Sequence, residues 1–278
     1  MVVILRFLEE PALLIEGEER TLVIADLHLG FEQEFLAKGI GIPSQTKKVL
    51  SKVKAILSKH KPSRLIFLGD VKHEVAQIPI YEWRELPEFF EELLGLTRVE
   101  VVPGNHDGNL EALLPRGVVL HRVEGIMVEG KKRTVYLTHG HAWPSAEALK
   151  ASFLVMAHQH PTVELKDLAG FKLVERVWMV TGWARRSMAR SFLRAQGIDT
   201  KKPIADFRRR FGFEVKSPKI IVMPAFNQLL GGWAVNSQEK DEYISPIFRS
   251  GSIKLDESSI YLLDGSYLGK LSSLRQAK

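Results

Sequence analysis

The sequence predicts an α/β fold. Short apolar runs rich in β-branched residues alternate with stretches that repeat apolar residues at helical spacing, the pattern of βαβ units. No tract rich in Pro, Gly or Ser divides the 278 residues into halves, so the expectation is one domain over residues 1–278. A composition of 45% hydrophobic and 26% charged residues is that of a globular chain rather than a disordered one.

The N-terminal MVVILRFLEEP is interrupted by Arg6, Glu9 and Glu10 and reads as a strand rather than a signal peptide. Thr21–Ala25 is a buried strand. Pro43–His60 reads as a helix with Ser44 as N-cap and Val49, Leu50, Val53, Ile56 and Leu57 on one face. Arg64–Leu68 is the next strand, Tyr81–Leu94 a second amphipathic helix, and Arg98–Val102 a third strand. From Gly117 the period shortens to hairpins: GVVLH, GIMVEG, then Arg133–His139. Phe153–Ala157 and Phe171–Val180 are further strand-like runs. Residues 182–216 form a basic helical insertion: a helix, a turn at Gly197 and a second helix near Pro203–Phe211. Its apolar Trp183, Met188, Phe192 and Leu193 would face the body. Lys219–Met223 and Gly232–Val235 resume strands, and 243–278 is expected to be a β-rich tail with a hairpin over 243–272.

The absence of cysteine excludes a disulfide framework, thiolate metal ligands and a cysteine nucleophile. No apolar run approaches the ~18 residues of a membrane span, so no membrane partner is expected and the predicted location is cytoplasmic. The net charge of +6 is local: residues 182–216 hold ten basic and three acidic residues, +7 in all, and the rest of the chain sums to −1. The segment suggests an electrostatic track for single- or double-stranded nucleic acid. Arg185, Arg186 and Arg190 are candidate contacts, and Trp183 or Phe192 would be available for stacking.

Five apolar runs end in metal-ligand residue types. TLVIA leads into Asp26 and His28, RLIFL into Asp70, RVEVVP into Asn105, His106 and Asp107, RTVYLT into His139 and His141, and FLVMA into His158 and His160. Ligands of open α/β sheets bind outside the carboxyl ends of strands, so five such ends converge on one crevice. Imidazole and carboxylate donors without thiolate suit manganese, iron, nickel or zinc. Seven candidate ligands exceed what one ion takes and suit two ions sharing a carboxylate, an arrangement that hydrolyses phosphoesters without a covalent protein intermediate.

The series D-x-H, G-D, G-N-H-D, H and H-x-H resembles the calcineurin-like metallophosphoesterases from about Thr21 to Pro161. ADLHLGFE, GDVKHE and PAFNQLLGG are similar to segments of the archaeal SbcD-related phosphoesterases. The resemblance implies a four-layered α/β/β/α sandwich. It implies two divalent ions, manganese first: Asp26, His28 and His160 on one, Asn105, His139 and His158 on the other, and Asp70 between them. His106 would then sit over the phosphate, stabilising charge or protonating the leaving group, with Asp107 orienting it. His73, His141 and Asn227 are candidate substrate contacts. The usual G-H-x-H is here Ala157-His158-Gln159-His160, and the basic insertion has no counterpart in the family pattern.

The expected function is hydrolysis of phosphodiester bonds by a metal-bridging hydroxide, with nucleic acid as substrate. The alternatives are a nucleotide phosphodiesterase or phosphatase, and a non-catalytic scaffold of the same fold. A protein-phosphatase reading is disfavoured, because GDVKHE lacks the Arg that follows the second motif in that branch. The SbcD resemblance adds an ATPase- or helicase-like partner, or a homodimer, as candidate assemblies.

Overall fold

In a computed structural model, residues 4–75, 78–130, 133–166, 170–237 and 243–276 are described. The first sheet has six strands in sequential order: β1 (Ile4–Phe7), β2 (Ala12–Glu16), β3 (Arg20–Ile24), β4 (Arg64–Leu68), β5 (Arg98–Val102) and β6 (Val119–Leu120). β3 to β6 run parallel and β1–β2–β3 form an antiparallel meander. The second sheet contains β7 (Ile126–Val128), β8 (Val135–Thr138), β9 (Phe153–Met156), β10 (Pro161–Lys166), β11 (Lys172–Thr181), β12 (Lys219–Val222) and β13 (Trp233–Ala234). β14 (Ser259–Leu262) adds to β11, and β15 (Tyr267–Lys270) pairs β14. Within this sheet β8, β9 and β12 are parallel.

Three separate apolar clusters make four layers. Leu22, Ile24, Leu65 and Phe67 face outward and pack on the helices α2 (Thr46–His60) and α3 (Ile80–Leu94), which follow the short α1 (Glu32–Ala37). Their neighbours Val23, Ala25, Ile66 and Leu68 turn the other way and meet Val135, Leu137, Val155, Trp178 and Ile221 of the second sheet. Leu154, Met156, Ile220 and Val222 face a third cluster with α4 (Arg185–Ala195) and α5 (Pro203–Phe211). Strands β3, β4 and β9 are therefore covered on both faces, which is why they read as unbroken apolar runs. This is the α/β/β/α sandwich that the resemblance implies. No helix among the described residues is long and apolar enough to cross a membrane.

Several boundaries differ from the sequence reading. Met1–Val3 lie outside the described residues. GVVLH is not part of a hairpin: Val119 and Leu120 pair in parallel with Glu100 and Val101 and extend the first sheet. The helix begins at Thr46 with Gln45 as N-cap; Ser44 stands one residue earlier, its hydroxyl donating to Glu85 Oε2 at 2.6 Å and accepting from the Thr46 N–H at 3.3 Å. The tail is only partly β: its hairpin covers β14 and β15, while α6 (Pro246–Arg249) and α7 (Leu271–Gln276) flank it. In the basic segment the two helices stand where expected, and Trp183, Met188, Phe192 and Leu193 are buried against the second sheet. That burial removes Trp183 and Phe192 as stacking platforms, since each is at most 2% exposed.

Candidate metal centre

The parallel strands of both sheets deliver their carboxyl ends to one edge of the sandwich, where the chain turns abruptly into loops. Asp26, His28, Asp70, His158 and His160 adopt left-handed backbone, with φ of 56°, 42°, 50°, 68° and 43°. Side chains seldom accept this region, and such residues persist where the surroundings over-determine them. The sharp turns bring His28, Asp70, His158 and His160 to the wall of a common cavity of about 450 Å³, lined also by Asn105, His106, His141 and Ile244, with Asp26 buried behind them.

Two glycines of the motifs make room. A Cβ on Gly69, which itself has φ +83°, would collide with the His139 imidazole, and one on Gly104 would collide with the Asp70 carboxylate. Ala157, standing where the family has glycine, needs no such freedom. Its backbone is not left-handed and its methyl packs in the core between the sheets.

Asp26, His28 and His160 bring three donor atoms within 4.8 Å of one another, and Asp70, His139 and His158 do the same beside them. Asp70 joins the groups: its Oδ2 lies 3.4 Å from His28 Nε2 and 3.3 Å from His139 Nε2. His160 Nε2 faces Asp26 Oδ1 at 3.3 Å. Asp26 Oδ1 and the Nε2 atoms of His28, His139 and His160 are nevertheless buried without a hydrogen-bond partner. Buried polar groups are ordinarily paired, so this concentration of orphaned donors around two carboxylates fits divalent cations. The other ring nitrogen of His139 donates to the Leu68 carbonyl at 2.9 Å, which leaves Nε2 free to ligate.

The electrostatics follow from burial and from the two carboxylates. Burial works to raise the Asp70 carboxyl, but the facing His139 and His28 imidazoles hold it well below the usual range. Asp26 is likewise held low by His160 and His139 against the cost of its burial. Burial works to lower His139; Asp70 and Asp26 outweigh it and push it up to about 9. Burial, with His139 nearby, takes His158 down to about 3 and His141 down to about 4. The centre thus keeps both carboxylates anionic against the imidazoles that face them.

His106 stands at the cavity wall. Its backbone N–H donates to Asp70 Oδ1 at 2.9 Å, and its ring Nδ1 donates to the His73 carbonyl. Asp107 does not orient this ring as expected. Its buried carboxylate instead accepts from the backbone N–H groups of Val71 and Gly104, each at 2.8 Å, and so ties the loops after β4 and β5 together. His73 lies closer to the centre than the sequence indicated: its Nδ1 is 3.2 Å from His28 Nδ1, and His28, His73 and His106 form a third candidate ligand group.

Both His139 and His141 reach the site, the first among the donors and the second on the cavity wall. Asn227 is turned away. Its side-chain amide donates to Leu27 O at 2.9 Å and its side-chain carbonyl accepts from Leu229 N–H at 2.9 Å, so it braces the Asp26–His28 segment from behind. Arg185, Arg186 and Arg190 do not line the cavity; Arg185 pairs with Glu214 at 3.4 Å.

Three contributors carried no signal in the sequence. Glu34 accepts from His73 Nε2 at 2.9 Å, across 39 residues. Ile244 borders the cavity because Gln159 Oε1 accepts from the Ile244 and Ser245 N–H groups, which hooks the C-terminal tail to the loop after β9. The Leu68 carbonyl is the third.

The family model for calcineurin-like phosphoesterases matches residues 19–197. The crystal structure of the nuclease MPE from Pseudomonas putida aligns over 93% of this chain and 92% of that one, at 17% identity and a TM-score of 0.54. YfcE, a phosphoesterase from E. coli, aligns over 53% of this chain and 73% of its own, at 18% identity and a TM-score of 0.35. No curated protein matches the chain. The likeness to MPE is one of fold, and it extends past the family match into the C-terminal residues.

Proposed function

The chain belongs to the calcineurin-like phosphoesterase family, and on that premise we propose that it hydrolyses phosphodiester bonds in nucleic acid with two divalent metal ions. The reading is carried by Asp70, whose single Oδ2 is within 3.4 Å of an imidazole of each ligand group. Asp26, His28, His160 and Asp70 would hold one ion, and Asp70, Asn105, His139 and His158 the other. Manganese is the ion proposed first, and the mixed imidazole and carboxylate donors also accommodate iron, nickel or zinc. When bound, two such ions supply Lewis-acid polarisation of the phosphoryl oxygens and make nearby water acidic at neutral pH.

The chain's own side chains account for the rest. His106 is fixed through Nδ1 by the His73 carbonyl, so Nε2 is its free nitrogen. Water adds to phosphorus opposite the leaving oxygen and the P–O ester bond breaks. A proton from His106 Nε2–H goes to the departing oxygen. Of the two protons of the attacking water, one stays on the new phosphomonoester and the other returns through solvent to His106, leaving a phosphomonoester and an alcohol. His141, kept neutral at the cavity wall, offers a hydrogen bond to substrate. The charge of residues 182–216, and a structural neighbour described as a nuclease, support nucleic acid as the substrate.

The test is to incubate manganese-loaded protein with a labelled single-stranded oligonucleotide, with bis-p-nitrophenyl phosphate and its monoester in parallel. Cleavage of the oligonucleotide and the diester is expected. His106→Ala should lower both rates by about 10²–10³-fold at unchanged metal content, as loss of a general acid does. Turnover of the monoester alone would replace this reading with a small-molecule phosphatase.

A further inference from the structure

The basic helices enclose a second concavity. A cavity of about 750 Å³ is lined by Arg186, Lys201, Lys202, Arg208, Arg209 and Glu214, among others, and shares no residue with the metal centre. Its charge is poorly compensated. Arg208 meets Glu214 at 3.4 Å, and Glu214 is also engaged by Arg185; Arg209 meets Asp206 at 3.0 Å. Arg186 is directed to the Lys201 carbonyl at 3.3 Å, and no carboxylate among the described residues pairs with Lys201 or Lys202. Five cations thus converge on one hollow against two carboxylates already in use. Each of the five is exposed, but they share one concave surface, and their summed field there favours an anion.

The strand register fixes where this hollow lies. Thr181, four residues before α4, pairs with Ile220 near the start of β12, whereas Val222 at its other end pairs with Met156, two residues before His158. The hollow therefore opens at the end of the second sheet opposite the metal centre. At ~3.3 Å per strand residue the two are separated by roughly 15 Å or more.

We propose that this hollow is a second phosphate-holding site, which grips the backbone of a nucleic acid strand several nucleotides from the bond that is cut. The proposal rests on the nucleic-acid reading and deepens it. It places the anchoring charge on Lys201 and Lys202, not on Arg185 or Arg190. A strand must follow the surface of the second helical layer to reach both sites, so a dinucleotide is too short and a 20-mer is long enough.

Two exposed lysines give the test. Lys201→Ala with Lys202→Ala removes two charges without touching the core. Binding of a fluorescein-labelled 20-nucleotide thymidine strand is followed by anisotropy over a salt series, in EDTA so that the strand stays intact. The variant should bind about tenfold or more weakly. Its plot of log affinity against log salt should be shallower by about 1.4, since each phosphate neutralised on a single strand contributes ~0.7. With manganese, hydrolysis of a dinucleotide should be equal in the two proteins, whereas kcat/KM for the 20-mer should fall. Equal affinities and equal slopes would overturn the second site and leave the nucleic-acid reading standing. A wild-type protein that turns over the small diester but does not bind the 20-mer would overturn both.

Discussion

Asp70→Asn is expected to lower diester turnover by about 10⁴-fold, on the order of 5 kcal/mol of barrier, and to reduce the number of ions bound per chain. The substitution is nearly pure in its effect. Asn accepts left-handed backbone at least as well as Asp, so the φ of 50° at this position is kept. The amide oxygen still accepts the His106 N–H, which Asp70 Oδ1 now receives at 2.9 Å. What disappears is the negative charge that faces His28 on one side and His139 on the other. Elemental analysis of the purified variant beside its steady-state rates makes the comparison. A variant that keeps the wild-type metal content and most of its rate would remove Asp70 from the bridging position.

Glu100→Gln should cost about 2–3 kcal/mol of folding stability at pH 7, a fall of roughly 5–10 °C in Tm. Glu100 lies far from the metal centre but is the hub of an ionic cluster. It accepts from Arg64 at 2.7 and 2.6 Å, from Arg98 at 2.9 Å and from His121 at 2.6 Å, and it is only 4% exposed. Burial works to raise its carboxyl, and His121 and Arg64 overcome that and bring it down to about 2, from 4.5. Because the folded carboxyl holds its proton less tightly than the unfolded one, the contribution is complete above pH ~4.5 and is lost as pH falls towards 2. Wild type and variant should therefore differ most near neutrality and converge in acid. Thermal melts across that range measure the gap, and equal Tm values at pH 7 would show the cluster to be neutral.

The site was more legible in the sequence than the sheets around it. Strands buried on both faces, such as β9 and β4 beyond Arg64, are unbroken apolar runs, and their carboxyl ends are marked by the next charged or imidazole residue. Asp70 and His158 could therefore be placed without knowing which strand lies beside which. β6 was misplaced because its two residues are strand only by virtue of pairing with Glu100 and Val101, which no local pattern announces. β10 escaped notice because in its outer half the polar Glu164 and Lys166 flank a single apolar residue, Leu165, and the strand partner there is β11. Asp107 was assigned to the wrong partner for a related reason. Its neighbour in sequence is His106, but its partners are backbone N–H groups, which leave no trace in side-chain identity. Glu34 and Gln159 act on residues 39 and 85 positions away, and nothing in a charged helix or a loop singles them out.

The left-handed backbone at Asp26, His28, Asp70, His158 and His160 has a further consequence, for how the chain tolerates change. At roughly 1 kcal/mol per residue, five such positions together approach the entire net stability of a small domain. Glycine would relieve that strain at each of them, so in a saturation-mutagenesis library sorted for heat resistance alone the glycine variants should be enriched. Sorted for catalysis, the same variants should vanish. The two rankings should be opposed at these positions and agree elsewhere in the sandwich, so the ligand loops would be found by the disagreement between two selections.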